Sequence, residues 1–241
     1  TNHKSYICNK NDALNIINEL HLAFSEPFGD SSMIPTMLLS KMAKNDVKVC
    51  LTGDGGDEIF GGYNRYIIAK KYWKYLKFIP KNFIKYFLLS PNFIKHNLIK
   101  FFINISSINN LKLHDINNKS QKILDKLKLV DNKYLFYKSL TTEWNNTNEL
   151  NNFEIDSEND FLEKNFTEYN KLSYEEQMMQ SDYESYLPDD ILCKVDRSSM
   201  FYSLETRSPF LNKNLVETAF SLPFFYKIRN GQSKWILRKI L

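Results

Sequence analysis

Positions 51–63 of the chain read Leu-Thr-Gly-Asp-Gly-Gly-Asp-Glu-Ile-Phe-Gly-Gly-Tyr, and no other stretch says as much about the architecture. A short apolar run at 47–51 precedes this stretch and a helical pattern follows it, which predicts a strand, a loop and a helix in succession. Open α/β sheets bind ligands at the carboxyl ends of their strands, where such a loop lies. The glycines at 53, 55 and 56 permit left-handed backbone angles and a close approach to a ligand. We therefore predict an α/β domain whose ligand site lies at residues 52–57, called the signature loop below.

The signature loop combines main-chain amides with acidic side chains. Exposed amides at a helix N-terminus suit an anion such as phosphate. Asp54, Asp57 and Glu58 would repel a phosphate unless a cation lay between them, so the combination indicates Mg²⁺ with a nucleotide or a pyrophosphate. Asp and Gly also favour tight turns and the first turn of a helix. The residues alone leave two interpretations open, a nucleotide site and an acidic turn that caps a helix.

The chain divides into three blocks of one partial domain, at 1–66, 67–170 and 171–241. Helices are expected to dominate in all three blocks. Hydrophobic periodicity and capping residues predict the elements of the first block: a helix over 12–25 capped by Asn11 or Asp12, a helix over 33–44 capped by Ser32, and a strand over 47–51.

The second and third blocks differ in how clearly their elements are marked. The second is predicted to consist of Lys- and aromatic-rich helices, with breaks at Pro80, Pro91 and the Asn-rich stretches 104–118 and 145–152. In the third block, Ser173 and Glu176 have the spacing of a capping box, and Pro188 and Pro223 are expected to end helices.

The composition is that of a soluble enzyme of a reducing compartment, and the cytoplasm is the expected location. At 241 residues with 43% hydrophobic content, the chain is able to bury a substantial core. Its three cysteines, Cys8, Cys50 and Cys193, lack metal-like spacing, and Cys50 is predicted to be a small buried hydrophobe within the strand. No run of 18 apolar residues predicts a membrane span.

Charge is distributed unevenly, which supports a competing interpretation. Residues 67–130 contain 13 Lys against 2 acids, whereas residues 140–190 contain 14 acids against 2 Lys. Lysines that alternate with aromatic residues are able to bind an anionic membrane or a nucleic acid. However, the acidic half is able to neutralise the basic half within the fold, and no arginine occurs in 67–130 to form the forks that phosphates usually favour. We therefore expect neither a membrane nor a nucleic acid as partner.

Three further stretches accompany the signature loop. They are Glu-Pro-Phe-Gly-Asp-Ser-Ser-Met-Ile-Pro-Thr at 26–36, Tyr-Leu-Pro-Asp-Asp-Ile-Leu-Cys-Lys-Val-Asp-Arg-Ser-Ser-Met at 186–200 with its continuation to 211, and Gly-Gln-Ser-Lys-Trp-Ile-Leu-Arg at 231–238. Together with 52–66, they resemble in sequence and order the motifs of the synthetase domain of glutamine-hydrolysing asparagine synthetases. The resemblance covers roughly 1–66 and 173–241, and the middle of the chain matches only in being helical.

The resemblance implies a fold and a reaction. The fold would be the carboxyl-terminal part of a Rossmann-like, adenine nucleotide α-hydrolase-like α/β domain in which helices predominate. The reaction would use ATP and Mg²⁺: the side-chain carboxylate of aspartate attacks the α-phosphorus of ATP, and ammonia from glutamine then displaces AMP to give asparagine. Such chemistry depends on positioning and on charge neutralisation. The implied partners are these small molecules and a glutaminase domain in cis, and a homo-oligomer is left open.

Two parts of the family pattern have no counterpart in this sequence. Position 1 is Thr rather than the cysteine that opens the family's glutaminase domain, and the Ser-Gly-Gly of its pyrophosphate-binding loop does not occur. The helical pattern also continues to Leu241 without a stop signal. We therefore expect these residues to be part of a longer polypeptide and to be inactive alone.

For the signature loop, the resemblance implies individual roles. Asp57 aligns with the ligand of Mg²⁺, although an acid in the first turn of a helix is also favoured by the dipole. Asp54 aligns with a position assigned to amine deprotonation or to binding of the intermediate, and an Asx-turn remains the alternative. The main chain of the loop would line the adenylate in the ATP site, at Thr52, Gly53, Asp54, Gly55 and Gly56.

For the last motif, the resemblance implies that Lys234 stabilises charge at the phosphorus centre. Ser233 is predicted to cap a helix whose first turn contains Lys234. A cation in that turn opposes the helix dipole, which makes a purely structural role less favourable. Arg238 lies one turn later on the same face, where it either supports Lys234 or faces solvent.

Five other residues are candidates for substrate contact or support. Asp30, Ser31 and Ser32 either contact the substrate or cap the helix that follows. Asp196 and Arg197 lie within an apolar helical pattern, so they are predicted to be partly buried and paired, supporting the site rather than binding a ligand.

Two other functions stay open at this point. Similar domains amidate sugar carboxylates in polysaccharide pathways or close β-lactam rings, and the motif residues do not distinguish between these acceptor acids. A non-catalytic module that binds surfaces through its basic, aromatic segment is the third reading. The intact acidic and lysine positions of the motifs argue against that reading.

Overall fold

A computed structural model describes residues 3–78, 80, 82, 86, 87, 89–91, 97, 132–142 and 161–241. These residues form a helix-rich α/β structure with a small parallel sheet. Two compact units are present, one made of Thr1–Tyr63 with Met179–Leu241 and the other of Asn64–Met178. The Asn-rich stretches 104–118 and 145–152, predicted to interrupt helices, lie outside the described residues.

The described elements follow one another in this order: α1 Lys10–Ala23, α2 Met33–Ala43, β1 Val49–Leu51, α3 Gly56–Phe60, α4 Asn64–Leu76, α5 Lys133–Thr141, α6 Phe161–Glu168, α7 Tyr174–Ser181, a π-helix Asp182–Leu192, α8 Cys193–Phe201, β2 Glu205–Arg207, a 3₁₀ turn Pro209–Leu211, α9 Lys213–Ser221, a second 3₁₀ turn Phe224–Tyr226, and α10 Trp235–Ile240. No helix among the described residues is long and apolar enough to cross a membrane.

The first unit begins with helix α1, which starts earlier than the sequence predicts. Asn9, rather than Asn11 or Asp12, is the N-cap, and its side chain accepts from the Asp12 amide at 2.9 Å. The Asp12 carboxylate accepts from the Asn9 amide at 3.1 Å, so the two residues form a reciprocal capping box. Asp12, which the sequence predicted at the start of the helix, is thus its third residue.

Helix α2 occupies almost the predicted range and packs on α1. The two helices enclose a core of Ile16, Phe24, Met37 and Leu38, and Phe24 stacks on Phe28 with ring centroids 5.1 Å apart. Ser32 has the predicted N-cap position of α2, but its side chain makes no capping bond. It donates instead to the Asp30 carboxylate at 2.7 Å.

The sheet consists of two parallel strands that are distant in sequence. Val49 pairs with Glu205, Cys50 with Thr206 and Leu51 with Arg207. The predicted strand is therefore present but shorter, and Cys50 is half-buried rather than buried. Burial raises the pKa of the Cys50 thiol, and the nearby Asp54 charge adds to that effect.

The π-helix continues directly into α8, and Pro188 lies inside it. The prediction that Pro188 ends a helix is therefore wrong. The wider turn of a π-helix relieves the clash between the proline ring and the carbonyl one turn earlier, which would otherwise break the helix. The prediction for Pro223 is confirmed, because α9 ends at Ser221 and Leu222 is its C-cap.

The second unit is held together by aromatic side chains. Trp73 of α4 stacks on Phe136 of α5, with ring centroids 6.0 Å apart and an interplanar angle of 26°. The predicted capping box is confirmed at the start of α7, where the Ser173 amide donates to Glu176 at 3.0 Å and the Glu176 amide to Ser173 at 3.3 Å. Lys70 of the basic segment forms an ion pair with the buried Glu175, so part of that charge is neutralised within the unit.

Candidate active site

The signature loop is fixed by hydrogen bonds at its start and along its length. At its start, the Thr52 amide donates to the Arg207 carbonyl at 2.8 Å, which extends the parallel pairing of β1 and β2 by one residue. Within the loop, the Gly56 amide donates to the Gly53 carbonyl at 3.3 Å. The Ser208 hydroxyl donates to the main-chain carbonyl of Asp54. The loop therefore has one defined path at the carboxyl end of β1, where α/β sheets place ligands.

The loop glycines serve two different purposes. Gly55 has φ +86°, and a Cβ there would lie 2.5 Å from the side chain of Leu211. A Cβ on Gly56 would lie 3.3 Å from the ring of Phe210. Gly55 is thus required by its backbone angle and by the packing of Leu211, whereas Gly56 is in tight contact with Phe210. At Gly53, by contrast, no atom lies within 4 Å of a Cβ position, so the main chain there is open to a ligand.

Two candidate residues that are distant in sequence, Asp57 and Lys234, meet at this loop. The Lys234 ammonium lies 2.9 Å from Oδ2 of Asp57, and the two side chains are 29% and 37% exposed. Asp57 belongs to the first turn of α3, as the sequence predicts. The structure therefore joins the predicted metal ligand and the predicted catalytic lysine in one ion pair that solvent and small molecules reach.

Lys234 does not lie in the first turn of a helix as predicted, because α10 begins only at Trp235 and Ser233 is not its cap. Lys234 itself has the N-cap position, with φ +50° and ψ +38°. Left-handed backbone angles are uncommon for a residue with a Cβ and persist where surrounding structure holds them. Nearby contacts supply that support: Arg238 donates to the Ser233 carbonyl at 2.9 Å, and the Trp235 amide donates to the Lys227 carbonyl at 2.8 Å.

Asp30 forms an ion pair with a residue that the sequence analysis did not select. The Lys194 ammonium of α8 lies 2.5 Å from the Asp30 carboxylate, and the two side chains are only 8% and 18% exposed. The Ser32 amide also donates to this carboxylate, at 2.8 Å. Burial opposes the charge of Asp30, but the bonds from Lys194 and Ser32 outweigh it and lower its pKa to about 2. Asp30 and Ser32 thus form a structural anchor at the start of α2, while Ser31 is exposed.

This anchor makes the stability of the protein sensitive to acid. The folded-state pKa of Asp30 is about 2 against 3.8 for the unperturbed group, so its contribution is fully present above pH 3.8 and is lost as pH falls through 2. The shift corresponds to about 2 kcal/mol of unfolding free energy. Urea titrations between pH 5 and pH 2 should show this loss in the wild-type protein and lack it in Asp30→Asn. Parallel pH profiles for the two proteins would contradict the assignment.

Asp196 and Arg197 are placed differently from the prediction of partial burial and pairing. Both lie on α8 and both are exposed, whereas the buried positions of that helix are Lys194, Ser198 and Ser199. The buried face of α8 is therefore polar. One signal for Lys194 was present in the sequence: Asp190 lies four residues before it, and the Lys194 ammonium is 3.8 Å from the Asp190 carboxylate.

Glu58, one of the three acids from which the sequence predicted a cation beside a phosphate, is instead buried. It is 1% exposed and accepts a hydrogen bond of 2.6 Å from the Tyr63 hydroxyl. Burial raises the pKa of Glu58, and the neighbouring charges of Asp57 and Asp182 add to this, against the hydrogen bond from Tyr63. Glu58 thus fixes the far end of α3 from inside the fold while Asp57 faces outward.

The donor set at Asp57 suits a magnesium ion that arrives with a nucleotide. Within the described ranges, no three His, Cys, Asp or Glu side chains cluster as an all-protein metal site. Mg²⁺ is commonly held by one or two carboxylates together with the phosphates of its substrate. A single half-exposed carboxylate beside an open glycine backbone fits that mode of binding.

Several asparagine synthetases are similar to this chain in sequence. A glutamine-hydrolysing asparagine synthetase of Bacillus subtilis is 27% identical over 242 residues, which cover 98% of this chain and 34% of that protein. A putative asparagine synthetase of Mycobacterium tuberculosis is 25% identical over 90% of this chain and 30% of its own length. A putative asparagine synthetase of Methanocaldococcus jannaschii is 38% identical over 81 residues, 34% of this chain and 16% of its own length.

The chain thus spans about a third or less of the length of these relatives. No solved structure matches the chain significantly. The sequence profile of the asparagine synthase family matches residues 1–241, that is, all of the chain. The chain, with the four motifs that include the signature loop and Lys234, therefore belongs to the asparagine synthase family.

Proposed function

We propose that the protein to which this chain belongs forms asparagine from aspartate, using ATP and the ammonia of glutamine. Aspartate's side-chain carboxylate attacks the α-phosphorus of ATP and expels pyrophosphate, and ammonia then attacks the acyl carbon and expels AMP. The observation that carries the proposal is the distance of 2.9 Å between Lys234 Nζ and Asp57 Oδ2, beside an open glycine main chain. The name of the Bacillus subtilis relative, a glutamine-hydrolysing asparagine synthetase, supports asparagine as the product and glutamine as the source of ammonia.

Charge neutralisation is the task that these residues would perform. Lys234 would place its ammonium against the negative charge that develops at the α-phosphorus, and a preorganised cation is effective in that role. When bound, Mg²⁺ would neutralise the departing pyrophosphate, and Asp57 is the residue that would hold it. The Asp57 carboxylate would in turn keep Lys234 in place, because each is within hydrogen-bond distance of the other.

The other residues of the loop would bind and orient the adenylate. The main chain of Thr52, Gly53 and Gly55 is positioned by the bonds to β2 and by the packing of Leu211. Asp54 is half-exposed, so its carboxylate is accessible to an incoming amine or to the intermediate. A general base must come within about 3.2 Å, between heavy atoms, of the group that it deprotonates. We assign this role in the ammonia step to Asp54. Arg238 would act indirectly, through Ser233, by holding the turn that presents Lys234.

The setting follows from the substrates. Ammonia would come from hydrolysis of glutamine, which the names of the relatives give for those proteins, and we propose that a glutaminase domain on the same polypeptide releases it. We place the reaction in the cytoplasm, where ATP and amino acids are abundant and where Cys8, Cys50 and Cys193, none of which forms a disulfide in the described structure, stay reduced.

The substrate is tested with the protein made from its complete coding sequence. Aspartate should stimulate release of pyrophosphate from MgATP, and addition of glutamine or ammonium should yield asparagine and AMP in equal amounts. Pyrophosphate release and amide formation are measured together, with glutamate and a uronic acid as matched carboxylates. Turnover with the uronic acid but not with aspartate would replace aspartate by a sugar acid. Release of pyrophosphate with no carboxylate at all would contradict the whole scheme.

A further inference from the structure

Gly62 lies directly beneath the ion pair of Asp57 and Lys234. An ideal Cβ on Gly62 would lie 1.7 Å from Oδ1 of Asp57 and 2.5 Å from Cε of Lys234. The Gly62 amide donates to the Asp57 carbonyl at 2.7 Å, so the main chain of Gly62 is itself fixed to the residue that carries the carboxylate. The two functional side chains thus meet in the space that any other residue at position 62 would fill.

The backbone of Gly62 does not itself require glycine. Positive φ angles occur at Gly55, Gly61 and Gly231 among the described glycines, and Gly62 is not one of them. At the neighbouring Gly61, φ is +67° and a Cβ would lie 2.9 Å from Ile228, so backbone and core packing both demand glycine there. At Gly62 the constraint is the space occupied by two side-chain ends.

The identity of the colliding atoms determines what a methyl group would displace. Oδ1 of Asp57 and Cε of Lys234 lie at the ends of side chains that are 37% and 29% exposed. Rotation of an exposed side chain toward solvent costs little, whereas movement of a packed backbone costs much. An added methyl group should therefore leave the fold in place and move the carboxylate and the ammonium.

We propose that Gly62 is a positioning residue, whose missing side chain lets the Asp57 carboxylate and the Lys234 ammonium lie together at the signature loop. The inference rests on the proposed function only for its effect on turnover. A misplacement of about 1 Å in a catalytic group is sufficient to reduce a rate about 100-fold. The geometric part stands on the distances alone.

The test compares Gly62→Ala with Gly29→Ala in the protein made from the complete coding sequence. Gly29 is the matched control, because no atom lies within 4 Å of its Cβ position and its φ is not positive. Three quantities are measured: the midpoint of thermal unfolding, kcat and KM for MgATP with aspartate, and the NMR signal of Lys234 after ¹³C-methylation of the lysines. A Lys234→Arg variant identifies that signal.

We expect the Lys234 signal of Gly62→Ala to move as it does in Asp57→Asn, and to stay in place in Gly29→Ala. Turnover of Gly62→Ala should fall about 100-fold relative to wild type, and the defect should be larger at low Mg²⁺ concentration, as for Asp57→Asn. An unmoved Lys234 signal, or a moved signal with wild-type turnover, would overturn the inference. An inactive wild-type protein would refute the proposed function alone, and the NMR signal would then decide about Gly62.

A loss of stability in Gly62→Ala is resolved by a second variant. Asp57→Ala combined with Lys234→Ala removes both side chains with which the methyl group would collide. If these collisions cause the loss, adding Gly62→Ala to that double variant should leave its unfolding temperature unchanged. An equal loss in both backgrounds would place the collision elsewhere and overturn the inference.

Discussion

Replacement of Lys234 by alanine should lower asparagine formation by about 100- to 1000-fold, the usual cost of losing a donor that stabilises developing charge. The fold should survive this change, because the pair that Lys234 forms with Asp57 is partly exposed. Exposed ion pairs contribute at most about 1 kcal/mol to the free energy of unfolding. The substitution should not change the strain of the left-handed backbone at position 234, since alanine, like lysine, has a Cβ. Steady-state kinetics and thermal unfolding, measured on the same samples, separate the two effects.

Lys239→Ala is the matched control for this prediction. Lys239 is an exposed lysine of the same short helix, in its last turn rather than at its cap. Asp57→Asn provides a companion variant, which keeps the size of the side chain but removes the charge proposed to hold Mg²⁺. Its defect should be larger at low Mg²⁺ concentration, whereas that of Lys234→Ala should not depend on Mg²⁺. Wild-type turnover in Lys234→Ala would return this lysine to a structural role.

Replacement of Lys194 by alanine should have the largest effect on stability, with a loss of about 3 to 5 kcal/mol in the free energy of unfolding. The Lys194 side chain is 8% exposed and pairs with Asp30, which is 18% exposed. Removal of one partner leaves the other as an uncompensated buried charge. The free energy that this unpaired charge costs exceeds the free energy that the intact pair contributes. Equilibrium unfolding in urea, at pH 7, measures the difference from wild type.

A second pair in the first unit supplies the contrast. Lys213 and Glu217 are 85% and 64% exposed, so Lys213→Ala should change stability by no more than about 0.5 kcal/mol. The double variant Lys194→Met with Asp30→Asn removes both charges and keeps most of the volume. It should be more stable than Lys194→Met alone, because no charge is left unpaired. A Lys194→Ala protein as stable as Lys213→Ala would refute the buried pair.

Sequence reasoning was most successful where local chemistry sets the structure. The range of α2 and the capping box of Ser173 and Glu176 depend on contacts within a few residues, and the structure contains both. The position of the signature loop after a strand follows from the same local rules. The roles of Thr52, Asp54 and Asp57 stay predictions, because they depend on ligands and on chemistry rather than on the path of the chain.

Long-range packing explains the errors. The prediction for α8 assumed that its apolar residues mark the buried face, yet that face carries Lys194, Ser198 and Ser199, and Lys194 pairs there with Asp30. Asp196 and Arg197 were consequently assigned to the wrong face. The π-helix before α8 also shifts the angular position of later residues relative to a regular 3.6-residue period. Neither the ion partner nor the change of period is visible in a local window.

The parallel pairing of β1 with β2 has a consequence for how the protein is made. Asp54 and Ser208, which hydrogen-bond beside this sheet, are 154 positions apart, and all of the second unit is synthesised between them. At roughly 5 to 20 residues per second, the first strand waits on the order of 10 s on the ribosome before its partner emerges. Leu51 remains 73% exposed even after pairing, so during that interval the strand is an apolar segment without its neighbour. Translation speed across the second unit therefore sets how long this strand is vulnerable to aggregation or to capture by a chaperone.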